Sequence, residues 1–181
     1  MNSIEYATFF EESARGENYP NELNHYVPLN LHRHQRWMKH GVISDSLQEQ
    51  ISKITTIQHW VLITEPWCGD AAQCVPALEK LALCSPNIQT KYILRDENPE
   101  VMDAYLTNGG RSIPKLICLD EQLQEVFTWG PRPDVIQAVM NDLKANGVTE
   151  IAQIVEAIQK AYNDNKQAGI YDELAAVLNS I

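Results

Sequence analysis

The sequence predicts an α/β fold in which helices flank a central mixed sheet. Between residues 57 and 146, short apolar runs of strand length alternate with segments of helical spacing, and this alternation indicates parallel strands joined by right-handed crossovers. Two further runs near the end of this region are joined by a tight turn at Asp120 and Glu121, which indicates an antiparallel hairpin. We therefore expect a core at 57–146, an N-terminal helical arm at 1–56 and a C-terminal helical extension at 147–181.

The N-terminal arm contains three segments of helical spacing. The expected helices are at 3–14, 31–40 and 46–54. Ser3 is the expected cap of the first helix, and Ser44 or Asp45 that of the third. Residues 15–28, which include Pro20, are rich in turn formers and predict a loop.

The core and the extension follow from the same reading of the pattern. The expected strands are at 58–65, 87–94, 115–119 and 122–128, and the expected helices at 69–83, 99–106, 133–144, 149–163 and 172–179. The first strand carries W-V-L-I-T, which is apolar on both faces and is typical of a central strand. Asn98 and Thr149 are the expected caps of the helices that follow them.

Composition and charge exclude several classes of function. The chain has 14 Lys and Arg against 24 Asp and Glu, a net charge of −10, which argues against nucleic acid as a partner. The sequence contains no apolar run near 18 residues and no signal-peptide pattern at its start, so we expect no membrane association and a cytoplasmic protein. Four cysteines are too few for a disulfide scaffold, and reduced thiols are expected.

The segment W-C-G-D-A-A-Q-C places Cys68 between a strand and the helix that follows it. Free N–H groups and the helix dipole at such a junction stabilise a thiolate, so we expect a lowered pKa for Cys68. Asp70 opposes this effect by like charge, unless it only caps the first turn, and the balance stays open. Position 71, where a C-x-x-C dithiol would have its second cysteine, is Ala71.

These residues, taken in order, resemble the thioredoxin family. The features that carry the resemblance are Trp67, Cys68 and Gly69, a proline eight residues after the cysteine at Pro76, the R-S-I-P of 111–114, and Gly130 after the hairpin. The resemblance covers residues 58–144. It implies a cis bond between Ile113 and Pro114, and it implies that the backbone of Ile113 pairs with an extended substrate peptide beside Cys68.

Departures from the family pattern share one chemical meaning. The second cysteine, the buried aspartate and the lysine of dithiol members fall on Ala71, Leu62 and Tyr92. Their joint absence disfavours intramolecular resolution of a mixed disulfide. Cys74 cannot replace the missing thiol, because six helical residues rise about 9 Å and a disulfide spans at most about 7 Å between α-carbons. Cys74, Cys84 and Cys118 are therefore interpreted as core residues.

The resemblance also assigns residues around Cys68. The candidate substrate-binding residues are Trp67, Gly69, Asp70, Arg111, Ser112, Ile113, Pro114, Trp129 and Gly130. Arg111 and Arg132 are expected near the rim, where they favour a thiolate or an anion such as a glutathione carboxylate, with surface ion pairing as the alternative. For the two tryptophans, contact with a partner and plain packing stay equally open.

Other constellations carry little chemistry. The histidines are His25, His32, His34, His40 and His59. His32 and His34 lie about 200° apart on a helix, and no histidine has a ligand-like neighbour, so we expect solvated side chains and no metal. No phosphate-binding glycine motif occurs. No cofactor is expected, with glutathione a candidate co-substrate.

Two functions remain in competition. The first is single-cysteine thiol-disulfide exchange or thiol capping, in which Cys68 reacts with a protein or a low-molecular-weight thiol or disulfide. The second is a non-catalytic protein- or peptide-binding module of the same fold. A peroxidase is a weaker third, because the P-x-x-x-[TS]-x-x-C pattern is absent. Burial of the Cys68 sulfur under the arm would favour the binding module, and the sequence does not indicate the oligomeric state.

Overall fold

The computed structural model describes residues 1–17 and 22–180, which are built around one four-stranded sheet. The strands are β1 (Gln58–Thr64), β2 (Ile88–Leu94), β3 (Lys115–Leu119) and β4 (Glu125–Trp129). Their order is β2-β1-β3-β4. The pair β1–β2 is parallel, whereas β1–β3 and β3–β4 are antiparallel. The predicted mixed sheet is confirmed.

Helices cover this sheet, and further helices come before its first strand and after its last strand in the sequence. They are α1 (Ser3–Ala14), α2 (Val27–His40), α3 (Asp45–Ser52), α4 (Gly69–Ala82), α5 (Pro99–Ala104), α6 (Asp134–Ala145), α7 (Ile151–Asn165) and α8 (Ala168–Leu178). A short 3-10 turn, Asn24–Tyr26, leads into α2. None of the helices in the described ranges is long and apolar enough to cross a membrane.

The three largest differences between predicted and observed element boundaries have local physical reasons. Helix α2 begins at Val27 because Pro28 occupies its first turn, where a missing N–H costs nothing. Helix α8 begins at Ala168 because Gln167 adopts a left-handed conformation that reverses the chain after α7. Strand β4 begins only at Glu125, because Asp120 accepts bonds from two later N–H groups and lengthens the turn. The part of the predicted 15–28 loop at 18–21 lies outside the described residues.

Several caps also differ. Asn2, not Ser3, caps α1: its side chain accepts from Glu5 N at 2.9 Å, and the Glu5 carboxylate accepts from Asn2 N at 2.7 Å. This reciprocal pair is a capping box. The Ser44 alternative is confirmed for α3, where its hydroxyl accepts from Leu47 N. Asn98 is the N-cap residue of α5 as expected, but its side chain makes no capping hydrogen bond. The N-cap of α7 is residue 150 rather than 149.

One hydrophobic cluster joins the arm, the sheet and the C-terminal helices. Helix α2 packs along α4, and Tyr6 of α1 stacks on Tyr92 of β2 with ring centroids 4.6 Å apart. Ile170 and Leu174 of α8 are fully buried in the same cluster. The division into arm, core and extension at 56 and 146 stays a prediction. The arm and the extension nevertheless bury apolar surface against the sheet layer, so both are placed to reach the start of α4.

Candidate thiol site at the start of α4

Cys68 is the N-cap residue of α4, directly after the loop that leaves β1. Its Sγ accepts a hydrogen bond from Ala71 N and donates one to the carbonyl oxygen of Ile113, each at 3.4 Å. The peptide bond between Ile113 and Pro114 is cis. The thiol thus joins the first turn of α4 to the loop before β3, and its donor and an acceptor lone pair are both engaged.

The pKa of Cys68, for which the sequence left the balance of the helix start and Asp70 open, is raised and not lowered. The residue is only 7% exposed, and burial raises the pKa of Cys68 to about 12, with the charge of Asp70 raising it further. Backbone N–H groups of residues 70 and 71 and the charge of Arg132 act in the opposite direction. Loss of hydration outweighs the helix terminus here, because a buried thiolate is not compensated by a full positive charge in direct contact.

Side chains from both ends of the chain lie against this junction. Asn30 of α2 is buried and donates to the carbonyl oxygen of Pro66 at 3.1 Å. A Cβ placed on Gly69 would lie 3.1 Å from Gln159 Nε2 of α7 and 3.8 Å from Arg33 Nη1 of α2. The arm and the C-terminal extension therefore both approach the loop that carries Cys68.

Asp70 forms an ion pair with Arg132, whose Nη2 donates to its Oδ2. Both side chains are largely buried. Burial raises the pKa of Asp70, while Arg132 and the hydroxyl of Tyr162 lower it. The same hydroxyl lies 3.4 Å from Cys74 Sγ. Asp70 is therefore part of a buried polar cluster rather than a solvated charge in the first helical turn.

Four residues form a half-exposed to exposed border beside the thiol. We call Trp67, Arg95, Arg111 and Ser112 the loop rim. The guanidinium of Arg95 lies over the Trp67 ring, 4.6 Å from its centroid, and also donates to the carbonyl oxygen of Arg111. Arg111 is exposed and binds both carboxylate oxygens of Asp103 at 2.6 Å. Two arginines were expected near Cys68. The charge of Arg132 acts on the Cys68 thiol, whereas Arg111 belongs to the exposed part of the loop rim.

The remaining candidate residues are buried or, in the case of Gly130, half-buried. Ile113, Pro114 and Trp129 are buried, and Trp129 Nε1 donates to Glu173 of α8 at 2.7 Å. Gly130 has a φ of +108°, and a Cβ there would collide with the carbonyl oxygen of Pro114, so only glycine fits. The structure therefore joins Ile113 to Cys68 and Gly130 to Pro114, while Trp129 is held by α8 and the loop rim is the accessible part of the set.

The residues at the positions of the family's buried aspartate and lysine, Leu62 and Tyr92, have structural roles. Leu62 and Tyr92 are register partners in the parallel pair β1–β2. Tyr92 donates to Glu79 of α4 at 2.8 Å, and Glu79 also faces His34 of α2. The expectation that His34 is solvated is wrong, since it is 9% exposed. A sequence signal existed: His34 lies on the stripe that starts at Val27.

The other thiols mostly follow the prediction. Cys74 and Cys118 are buried free thiols, whereas Cys84 is only half-buried. Within residues 1–17 and 22–180 no group of three His, Cys, Asp or Glu side chains is placed to hold a metal ion.

A mixed sheet of this order, with a cysteine at the start of the helix after β1 and a cis proline before β3, defines a thioredoxin-like protein. The thioredoxin family model matches residues 16–144, well over half of the chain, and the chain therefore belongs to the thioredoxin family. The match begins upstream of residue 58, so the family pattern includes part of the arm. No curated protein matches the chain.

Solved structures share the fold at low sequence identity. One is a Pseudomonas aeruginosa protein of unknown function, with a TM-score of 0.56 and 17% identity over 95% of this chain and 92% of that one. Another is an HIV epitope-scaffold, with a TM-score of 0.51 and 19% identity over 90% of this chain and 96% of that one. Because both cover at least nine tenths of this chain, the likeness extends beyond the central core.

Proposed function

We propose that the chain is a thioredoxin-fold module that binds a protein partner and does not catalyse dithiol exchange. The observation that carries this proposal is the enclosed Cys68 sulfur, hydrogen-bonded to Ala71 N and Ile113 O. With a pKa near 12, the thiol holds its proton at neutral pH, and only the thiolate attacks a disulfide. Ala71, Leu62 and Tyr92 add support, because they remove the residues that a resolving step needs.

The loop rim is the surface that such a partner would meet. Trp67 offers a half-exposed aromatic ring with the guanidinium of Arg95 over it. Tryptophan and arginine are the side chains that most often dominate binding energy at interfaces. Ser112 and the carboxylate-paired Arg111 add polar groups at its edge. The backbone of Ile113, which pairs with substrate peptides in the family, has its carbonyl oxygen engaged by Cys68 Sγ, which supports recognition by rim side chains over strand addition.

Capture of partners with matched variants tests the proposal. Wild type, Cys68→Ala and Trp67→Ala are immobilised, and bound proteins are quantified without reductant and again with dithiothreitol. Leu123→Ala serves as control, because Leu123 is exposed in the turn at the far end of β3. The proposal expects Cys68→Ala and Leu123→Ala to retain the partners and Trp67→Ala to lose them. Loss of every partner in Cys68→Ala, or on adding dithiothreitol, contradicts it.

A second candidate, single-cysteine exchange, is favoured by where the sulfur lies. Cys68 is at the start of α4 beside Pro114, where the family has its nucleophile, and Arg132 favours its thiolate. In this reaction the Sγ thiolate attacks a disulfide, forms a mixed disulfide and expels one thiolate. A second external thiol, for which glutathione is the candidate, then displaces Cys68 and restores it.

Alkylation kinetics separate the two candidates. Iodoacetamide modification of Cys68 is followed by peptide mass spectrometry from pH 6 to pH 11, with Cys84, the half-buried thiol, as an internal reference. If the chain is a binding module, Cys68 should react more slowly than Cys84 at every pH in this range. A Cys68 rate that levels off below pH 9.0, the ordinary pKa of a thiol, together with a mixed disulfide after incubation with oxidised glutathione, establishes exchange instead.

The proposal includes a cytoplasmic location. Its support is the state of the cysteines, since all four are free thiols, and free thiols are typical of reducing compartments. Fractionation of cells with an antibody against the protein tests this location.

A further inference from the structure

An open cleft between α2 and α7 borders the loop that carries Cys68. Arg33 of α2 and Gln159 of α7 both line it, and a Cβ on Gly69 would lie within 4 Å of each of these side chains. The volume of the cleft is about 770 Å³, inside the range of about 300 to 1,000 Å³ of small-molecule sites. None of the loop-rim residues lines it, so the cleft is a separate surface beside the same loop.

Arg33 lacks the acidic partner that most arginines of this chain have. Four of the six arginines pair with a carboxylate: Arg15, Arg95, Arg111 and Arg132. The other two, Arg33 and Arg36, lie one turn apart on α2, and no carboxylate of residues 1–17 or 22–180 is within 4.0 Å of either. Arg33 donates to the amide oxygen of Asn30 at 2.9 Å, and Arg36 to that of Asn163 at 2.6 Å. The pair is therefore held by neutral groups only.

Two neighbouring positive charges without a counterion are unfavourable at a half-buried position. Burial lowers the pKa of Arg33, and the charge of Arg36 lowers it further. Charges removed from water are normally paired, because the loss of hydration is otherwise not compensated. Glu150 and Glu156 also line the cleft, but neither pairs with Arg33. An anion that enters the cleft would supply the missing negative charge.

A relay of side chains directs a second donor to the same place. The indole N–H of Trp37 can only donate, so the atom that it bonds on Gln73 is the oxygen Oε1. Gln73 Nε2 then donates to Gln159 Oε1 at 2.7 Å. These bonds fix the amide of Gln159 with Nε2 towards Gly69, 3.1 Å from the Cβ position of that glycine. An amide donor and the guanidinium of Arg33 therefore meet at the start of α4.

Exposed apolar side chains continue the cleft away from Gly69. Ile151, Val155 and Gln159 are spaced by four residues, so they share one face of α7. Ile151 is 76% exposed and Val155 47% exposed, and both line the cleft together with Tyr26. Four helical residues rise about 6 Å. The cleft thus offers donors beside Gly69 and apolar surface one helical turn away.

We propose that this cleft binds a carboxylate of the protein partner, held by Arg33 and Gln159 beside Gly69, with an apolar side chain of the partner on Val155 and Ile151. A carboxylate fits because a guanidinium can donate to both of its oxygens and because its single charge balances that of Arg33. The inference rests on the proposed function, since it adds a second contact with the same partner next to the loop rim.

N-acetylleucine and N-acetylleucinamide test the site, because the second replaces the carboxylate of the first by a neutral amide. Dissociation constants at pH 7.5 are measured by NMR for wild type, Arg33→Gln and Lys39→Gln, the last an exposed residue of α2 outside the cleft lining. Wild type and Lys39→Gln should bind the acid about three- to tenfold more tightly than the amide, the worth of one hydrogen bond. Arg33→Gln should lose this preference. N-acetylglycine, which has no apolar side chain, should bind more weakly than N-acetylleucine.

Salt dependence in the unmodified protein makes the test independent of variant folding. Raising NaCl from about 20 mM to about 500 mM should weaken the binding of N-acetylleucine and leave that of the amide unchanged. Trp67→Ala should bind the acid as wild type does, so a failure of this site and a failure of the loop rim are distinguishable.

Three results would overturn the proposal. The first is an absence of saturable N-acetylleucine binding in the millimolar range. The second is an equal dissociation constant in wild type for N-acetylleucine and either the amide or N-acetylglycine. The third is a preference for the acid that persists in Arg33→Gln.

Discussion

Asp70 and Arg132 form a buried ion pair whose acidic partner lies two residues from Cys68 and raises the pKa of that thiol. Asp70→Asn removes the negative charge and leaves the positive charge of Arg132 in place. The thiolate of Cys68 then loses a nearby like charge and keeps the attraction of Arg132, so we expect the pKa of Cys68 to fall by about one unit, which is tenfold in alkylation rate below the pKa. Iodoacetamide kinetics measure this change.

The same variant should be less stable, because Arg132 loses its buried counterion. Urea unfolding is expected to show a loss of about 3 kcal/mol, in the range for broken buried pairs. Asp103→Asn is the control, since it breaks the exposed pair with Arg111, and exposed pairs contribute at most about 1 kcal/mol. A Cys68 alkylation rate unchanged in Asp70→Asn would show that Asp70 does not govern the thiol.

Ala71→Cys should allow a disulfide with Cys68 but should not produce a dithiol that turns over efficiently. Ala71 N lies 3.4 Å from Cys68 Sγ, and residues three apart at a helix start lie within disulfide reach. After diamide treatment we expect this variant to have two thiols fewer than its reduced form. Ala82→Cys is the control, about 20 Å along α4 from Cys68.

The oxidised Ala71→Cys protein should re-form its dithiol only slowly in an insulin-reduction cycle. Leu62 remains at the position from which the family's aspartate takes a proton, so the new thiol has no base. Turnover at the rate of a family dithiol enzyme would show that the missing residues are dispensable.

Stability should fall as pH rises above 9. Unfolded thiols lose their protons near the ordinary value of 9.0, whereas burial keeps Cys68 protonated to about pH 12. Between these values the folded state binds more protons than the unfolded state, so the free energy of unfolding decreases with pH. Each such thiol contributes at most about 1.4 kcal/mol per pH unit. Urea titrations from pH 8 to pH 10.5 measure the slope.

Cys68→Ala provides the matched comparison for this slope. This variant should reduce the slope of the unfolding free energy against pH by the equivalent of about one proton, because it removes one buried thiol. Cys74 and Cys118, whose pKa values burial also raises, still contribute to the slope. An identical slope in wild type and variant would mean that Cys68 has the same pKa in the folded and the unfolded protein.

Glu79→Leu should destabilise the protein by about 2 kcal/mol, because it leaves the Tyr92 hydroxyl and His34 Nε2 without their buried acceptor. Glu79→Gln keeps one carbonyl acceptor, so its loss should be smaller. Glu49→Gln is the control, because Glu49 is exposed and pairs only with Lys53. Thermal unfolding ranks the three variants, and an order in which Glu79→Gln is worse than Glu79→Leu would contradict this role.

Local patterns in the sequence were sufficient for the architecture. Strand β3 is predicted to the residue, and the helix after β1 to within one, because alternation, strand length and capping residues act over a few neighbours. The approach of Gln159 to Gly69 could not be predicted in this way, since the two are separated by 90 positions. The burial of Cys68, and with it the sign of its pKa shift, depends on such distant contacts.

His34 shows a different kind of omission. Its stripe is visible in the sequence, because Val27, His34 and Trp37 follow helical spacing on one face of α2. The acidic partner is not visible, since Glu79 lies on another helix and reaches His34 only after α2 packs along α4. A buried histidine can be inferred from periodicity alone, whereas its function requires the tertiary neighbour.

The four tryptophans give the site an optical signal of its own. Trp37, Trp60 and Trp129 are buried, while Trp67 is half exposed over Arg95 beside Cys68. Collisional quenching by acrylamide therefore acts mainly on Trp67. Any molecule that settles on the loop rim would shield this indole, and its arrival could be timed in the unlabelled protein by stopped-flow fluorescence.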